Sequence, residues 1–380
     1  MKIRSIKSFP VRGPMSDLCF AKVETEDGVW GWGEGSLPGK AESVAAAIRE
    51  LGTLVHGMDA LEIARVWQRM VRHSYWKAGP ILSSAVSAID MALWDIKGKF
   101  YGAPVHNLLG GSVRDRVWLY ANIGLCDDPY ELRDRTRAAM SMGYNAVKFY
   151  PLPAVNSLEG PSAYRAVAAC CEAVRDELGE DGVFCLDFHG RCSPSVAVQM
   201  EAAVRHTAPL WIEEPTAPED VGALQRVQEK FQIAVATGER YNSRWQFREI
   251  FERRLADVVQ PDASNCYGIS EMHRIAAMAE TYGVAYAPHN PNGPVQAQAS
   301  LHLAAAAQNF VILEHRHDVN DAFTAFASVS LKNRGDGWAE IPSSPGLGIE
   351  LEEDALSRMP SATGDWIAES YRRDGSLGDW

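Results

Sequence analysis

The feature that most constrains this chain is a structural repeat carried by unrelated sequences. Short β-prone runs at 117–120, 146–150, 183–187, 210–213, 233–237, 257–260, 285–287 and 311–314 alternate with helical stretches such as 162–178, 196–206, 221–230 and 270–282. Most runs end in a polar group: Lys148 in AVKFY, Asp187 and His189 in FCLDFHG, Glu213 in LWIEEP, Glu239 in VATGER, Asp262 in VVQPD, His289 in AYAPHN and Glu314 in VILEHR. From Asp187 the steps are 26, 26, 23, 27 and 25 residues, one βα unit each time. Eight strands alternating with helices fit a closed parallel barrel better than an open sheet. A doubly wound sheet should carry a glycine-rich phosphate turn after its first strand. Here Gly31-Trp32-Gly33-Glu34-Gly35 lies in a hairpin region instead. In a βα barrel the carboxyl ends of the strands share one face, so the terminal groups converge on one site.

Ahead of the repeat, runs at 20–24 and 29–32 are joined through Asp27-Gly28, a hairpin signal. Residues 41–54 and 61–72 read as helices. From Ile81, the apolar positions Leu82, Ala85, Val86, Ile89, Leu93 and Ile96 predict an amphipathic helix that stops at Gly98. Gly110-Gly111 and Arg114-Asp115-Arg116 place a boundary near residue 115. A hydrophobic content of 46% excludes disorder, and 37 Lys+Arg against 49 Asp+Glu leave a net charge of −12. With no long basic cluster, that charge argues against nucleic-acid binding. The longest weakly charged run, 301–313, contains His302, Gln308 and Asn309 and is too short to span a bilayer. The opening MKIRSIKSFPVRG has no apolar stretch of signal-peptide length. Seven cysteines without a CxxC pair, two of them adjacent at Cys170-Cys171, suit neither zinc nor a disulfide framework. The expectation is a cytoplasmic protein with reduced thiols.

Asp187, Glu213 and Glu239, on consecutive strands, suggest a hard divalent cation such as Mg²⁺, which prefers oxygen ligands; zinc would favour histidine or cysteine. On residues alone Glu214 competes with Glu213 for this role. Lys148 can offset the carboxylate of an incoming substrate.

The segments KFY, LDFHGR, WIEEPT, ATGER, QPD and APHN, with VETEDGVWGWGE and GPILSSAVSAIDMALWDIKGK, resemble the enolase superfamily in its mandelate-racemase-like branch. Within that branch they are most similar to the D-galactonate dehydratases. The resemblance implies a modified TIM barrel, (β/α)7β, over 116–320. It implies an α+β capping domain over 1–115 and a segment, 321–380, that returns to complete the cap. It further implies Mg²⁺ on Asp187, Glu213 and Glu239, with Glu213 as the second ligand. His289 would be the general base paired with Asp262, and His189 the general acid. Glu314 would lie beside the substrate carboxylate, on the side away from Lys148. The implied reaction removes the α-proton of an aldonate and expels the 3-hydroxyl, giving a 2-keto-3-deoxy acid. A small-molecule acid sugar and a homo-oligomer are the implied partners.

One departure bears on the reaction. Racemases of this branch carry Lys-x-Lys on the second barrel strand, whereas Lys148-Phe149-Tyr150 stands here. Tyrosine, titrating near pH 10, is a weak base, which favours one-base elimination over two-base racemisation. Tyr150 either bonds a substrate hydroxyl or fills volume. Tyr75 and Trp76 either stack on substrate or pack the cap onto the barrel, and the loop 10–18 could lid the site. Arg240 is a substrate contact or a brace. Epimerisation or lactone cycloisomerisation by the same proton abstraction is the alternative. A metal-dependent amidohydrolase would want His-x-His where Tyr120-Ala121-Asn122 stands, and a non-catalytic relative would have lost ligands that are all present.

Overall fold

The structure is a computed structural model that describes residues 1–77, 79–152, 154–362, 369–372 and 374–379. Three strands, β1 (Ile3–Arg12), β2 (Asp17–Thr25) and β3 (Trp30–Glu34), form an antiparallel sheet in that order. The first was not legible: Arg4, Lys7 and Pro10 interrupt its apolar pattern, and only pairing with β2, from Ile3 opposite Thr25 to Arg12 opposite Asp17, makes it a strand. The expected loop 10–18 shrinks accordingly to 13–16, closed by the Gly13 amide on the Ser16 carbonyl at 3.0 Å.

The sheet is followed by α1 (Ala41–Val55), α2 (Ile63–Arg72), α3 (Pro80–Tyr101) and the single turn α4 (Val105–Leu108). The glycines of GWGEG have a packing reason. A Cβ on Gly33 would lie 2.7 Å from the Ala88 carbonyl carbon, and closer still to its oxygen. One on Gly35 would lie 3.0 Å from the Ser84 carbonyl carbon. Helix α3 therefore rests directly on the backbone of β3. It also runs past the expected stop, to Tyr101, where Gly102 caps it at φ +62°. Gly98 is instead a crossing point, because a Cβ there would lie 2.5 Å from the Gly346 Cα.

The barrel follows as β4 (Arg116–Leu125), α5 (Pro129–Ser141), β5 (Ala146–Tyr150), α6 (Pro161–Leu178), β6 (Val183–Asp187), α7 (Pro194–Val204), β7 (Ile212–Glu213), α8 (Val221–Gln228), β8 (Val235–Thr237), α9 (Arg244–Glu252), β9 (Val258–Val259), α10 (Ile269–Thr281), β10 (Ala285–Tyr286), α11 (Pro294–Ala306) and β11 (Leu313–His315). All neighbours along β10-β9-β8-β7-β6-β5-β4-β11 are parallel. Tyr286, bonding to Asn309 and Val311 at 2.9 and 3.0 Å, closes the ring. This is the (β/α)7β modified TIM barrel.

The segment 321–380 divides between the two bodies. Its strand β12 (Trp338–Glu340) pairs antiparallel with the start of β4. Helix α12 (Glu353–Arg358) meets the cap, where Glu353 bonds Lys7 and Lys22 at 2.6 and 2.8 Å. Beyond it, Arg372 Nε donates to the Val155 carbonyl, above β5, at 3.0 Å. Residues 363–368, 373 and 380 of that segment lie outside the described residues. Among the described residues, no helix is long and apolar enough to cross a membrane, and all seven cysteines are buried and unpaired.

Candidate active site

Side chains alternate across a strand, so every second residue faces the barrel interior. Tyr120, Ala146, Cys185, Trp211, Ala287 and Ile312 belong to one buried cluster there. Two residues further along each strand stand Asn122, Lys148, Asp187, Glu213, His289 and Glu314. The polar groups are thus the next inward layer, at the carboxyl ends. Val258 of the same cluster leads likewise to Gln260. Asn122 and Gln260 escaped the sequence reading, which weighted charge, although this two-residue step would have found both.

One ligand atom from each of Asp187, Glu213 and Glu239 lies within 4.8 Å of the others. Lys148 Nζ, 1% exposed, sits 2.6 Å from Glu213 Oε1, 3.3 Å from Glu314 Oε1 and 3.7 Å from Asp187 Oδ2. Burial opposes its charge, but Glu213 and Glu314 overcome this and raise its pKa well above the usual value. Burial also raises Asp187 and Glu213, with Lys148 opposing it. Gln260 Nε2 and Trp211 Nε1 hold Glu213 Oε2 at 2.9 and 3.2 Å. Glu214 points elsewhere, accepting from the Thr237 hydroxyl at 2.9 Å and the Gly238 amide at 2.7 Å. Of the two, Glu213 is the one that gathers with Asp187 and Glu239 in a group that could hold a metal ion.

Glu314, expected beside the substrate carboxylate on the side away from Lys148, forms an ion pair with Lys148 in this structure, at 3.3 Å. Closure puts β11 beside β4 and β4 beside β5, so a lysine side chain spans the gap over the small Asn122. Asn122 Nδ2 and the Asn290 amide also donate to Glu314, at 2.6 and 3.0 Å.

His289 and Asp262 meet as expected, Nδ1 to Oδ2 at 2.7 Å, with the other ring nitrogen 3.2 Å from Glu239 Oε2. Burial disfavours the imidazolium, but Glu239 and Asp262 reverse this and push the pKa up to about 10. His189 has the opposite balance: burial lowers it despite Glu239, 3.9 Å from its Nε2. Its backbone is left-handed, φ +55°, an arrangement that costs a non-glycine residue roughly 1 kcal/mol or more. The His189 amide donates to Asp187 Oδ1 at 2.7 Å, so this turn joins acid candidate to ligand candidate. Tyr150 stacks on the His189 ring, centroids 5.7 Å apart, and burial raises its hydroxyl pKa further.

The remaining sequence candidates lie apart from this cluster. Tyr75 and Trp76 are 88% and 80% exposed and stack edge-to-face on each other. Arg240 pairs with Glu219 at the rim. A cleft of about 700 Å³ leads inward past that rim, between Leu37, Gly79 and Pro80 of the cap and Tyr241, Asn242 and Glu239 of the barrel. Arg316, which follows β11, was missed because it ends no repeat unit in the expected register. It is nearly buried, chelates Asp318 through Nε at 3.0 Å and Nη2 at 2.6 Å, and its charge acts on Tyr150.

A capped parallel barrel with carboxylates from three successive strands facing a His–Asp pair defines a barrel enzyme. Residues 14–110 match the mandelate racemase/muconate lactonizing enzyme N-terminal domain, and 131–355 match the enolase C-terminal domain-like family. The chain belongs to the enolase superfamily, in that mandelate racemase/muconate lactonizing branch. It is 37% identical over 367 residues to the D-galactonate dehydratase of Variovorax paradoxus, spanning 95% of this chain and 96% of that one. An enolase from Agrobacterium radiobacter, solved with sodium and L-malate bound, superposes with a TM-score of 0.91 at 30% identity over all of both chains. The 3,6-anhydro-D-galactonate cycloisomerase of Zobellia galactanivorans gives 0.84 at 28% identity, over 94% of this chain and 99% of that one.

Proposed function

We propose that the protein is a Mg²⁺-dependent acid-sugar dehydratase acting on a D-galactonate-like aldonate. The observation that carries this reading is the charge of the site. Five carboxylates, Asp187, Glu213, Glu239, Asp262 and Glu314, crowd against one ammonium and one imidazolium. A substrate anion would be repelled from such a site unless a cation joined it. The all-oxygen donor set of Asp187, Glu213 and Glu239 fits a hard ion such as Mg²⁺. When bound, that ion supplies Lewis-acid stabilisation of negative charge developing on the substrate carboxylate.

The chain's own residues divide the remaining work. Lys148 holds a fixed positive charge beside the cluster. Asp262 accepts from His289 Nδ1, which leaves Nε2 to take the α-proton once Glu239 is committed elsewhere. His189, in the turn that follows β6 with its amide on Asp187, is the residue assigned to deliver a proton to the departing 3-hydroxyl. Tyr150, stacked on His189, would offer its hydroxyl to a sugar hydroxyl. With its pKa raised, Tyr150 does not serve as a second base, which speaks against two-base racemisation. Residues 1–115, joined by helix α12 of the 321–380 segment through Glu353, act as the cap that selects the sugar over the barrel 116–320. Relatives named as dehydratases support a hydro-lyase.

The test is incubation with Mg²⁺ and a panel of aldonates and aldarates, reading semicarbazide-reactive keto acid. Keto acid from an aldonate is the expected result. The cycloisomerase similarity keeps one rival reading: α-deuterium exchange without keto acid would select isomerisation, and neither signal, with metal bound, would end both.

A further inference from the structure

The cap residue Glu34 is fully buried, 0% exposed. Its carboxylate accepts four hydrogen bonds. Oε1 takes the Gly293 amide and the Ser36 hydroxyl, both at 2.7 Å; Oε2 takes the Val295 and Gln296 amides at 3.1 and 2.9 Å. Three of these donors are the otherwise unpaired amides at the start of α11, where a negative charge also meets the positive end of the helix dipole. Gly293 is glycine because a Cβ there would lie 2.6 Å from Glu34 Oε1.

What α11 carries gives this contact its meaning. The loop between β10 and α11 holds His289. From the first turn of α11, Gln296 Nε2 donates to the His289 carbonyl at 3.3 Å, while its Oε1 accepts from the Asn292 amide at 2.9 Å. The cap reaches the partner acid as well. Asn265 Nδ2 donates to the Ser36 carbonyl at 2.9 Å, and the Asn265 and Ser264 amides donate to Asp262 Oδ1 at 3.1 and 2.6 Å. Asp262 Oδ2, the atom bonded to His289, is thereby fixed in rotation. The tripeptide Glu34-Gly35-Ser36 thus grips two separate barrel loops, one bearing each member of the pair.

We infer that Glu34 is a positioning residue for the His289–Asp262 pair: the cap does not merely cover the barrel, it sets the geometry of the proton-accepting dyad. The inference rests on the proposed role of His289, but its first test needs no substrate. In low-temperature proton NMR, the His289 Nδ1 proton held by Asp262 should give a far-downfield resonance that His289→Asn lacks. Glu34→Gln should broaden or abolish that resonance while the circular dichroism spectrum stays that of the parent. Gly293→Ala, which drives the Glu34 carboxylate off the helix without touching its charge, should do the same and serves if Glu34→Gln does not fold. With a turned-over sugar acid, both variants should lose kcat about ten- to a hundred-fold, with KM within about two-fold of the parent, and Glu34→Asp should recover part of the loss. An unchanged resonance in the folded variants overturns the inference, and so does its absence from the parent, since there is then no held dyad to position. A resonance that responds as expected in a protein turning over no sugar acid would sink the proposed activity and leave the positioning role standing.

Discussion

His289→Asn separates proton abstraction from metal binding. Asparagine can keep a hydrogen bond to Asp262 but cannot accept a proton near neutral pH. No neighbour substitutes for the imidazole. Lys148 and Tyr150 are both pushed up, the first by its carboxylates and the second by burial, and His189 is the assigned acid. A general base contributes about 10²- to 10⁴-fold, and with no stand-in the loss should fall near the upper end, about 5 kcal/mol of barrier. Metal affinity should move the other way. In the parent, His289 Nε2 lies 3.2 Å from Glu239 Oε2, so a cation competes with an imidazolium for that oxygen. Removing the competitor leaves Mg²⁺ affinity equal or higher. Calorimetric titration with Mg²⁺ and the keto-acid assay read the two effects on one preparation. Turnover within ten-fold of the parent, or lost metal binding, would refute the assignment.

Other outcomes follow from the same geometry. Mg²⁺ should raise the melting temperature of the parent, since a ligand at about 100 Kd adds roughly 2.7 kcal/mol, and Asp187→Asn should erase most of that gain in thermal melts. Gly33→Ala should destabilise the protein by about 3 kcal/mol, because α3 has no room to retreat from β3; a denaturant midpoint equal to the parent's would contradict the close approach. Asp90, bonded to the Ser270 amide and hydroxyl at 2.9 and 2.6 Å, has its pKa raised by burial to about 7 from 3.8. For an acid raised on folding, its share of the stability is present below pH 4 and lost as pH rises towards 7. Asp90→Asn should therefore be most destabilising near pH 4 and progressively less so towards pH 8 in denaturant titrations; a pH-independent difference would show that Asp90 does not titrate this way.

Much of the architecture was legible because it depends on local chemistry. Short β-prone runs, helical stretches and polar groups about every 25 residues specify a parallel barrel whatever the loops do. Asp187, Glu213, His289 and Asp262, which the structure brings together, stood out because each ends its own repeat unit. Strand β1 was hidden by its charges. Asn122 and Gln260 went unnoticed because they carry no charge, although they hold Glu314 and Glu213 in place.

What the linear order could not supply was anything set by closure or by contact between distant segments. Which of Glu213 and Glu214 turns inward depends on the pleat and on the Thr237 and Gly238 donors of the next strand. The Lys148–Glu314 pair exists because a closed barrel brings its last strand beside its first. Gly98 read as a helix stop and Gly33 as part of a hairpin region, yet in the fold Gly33, Gly98 and Gly293 each admit another part of the chain: the α3 backbone, Gly346 and the Glu34 carboxylate. Local pattern records what each segment prefers, whereas these contacts form only after helices, cap and barrel share one volume, and no segment carries that information alone.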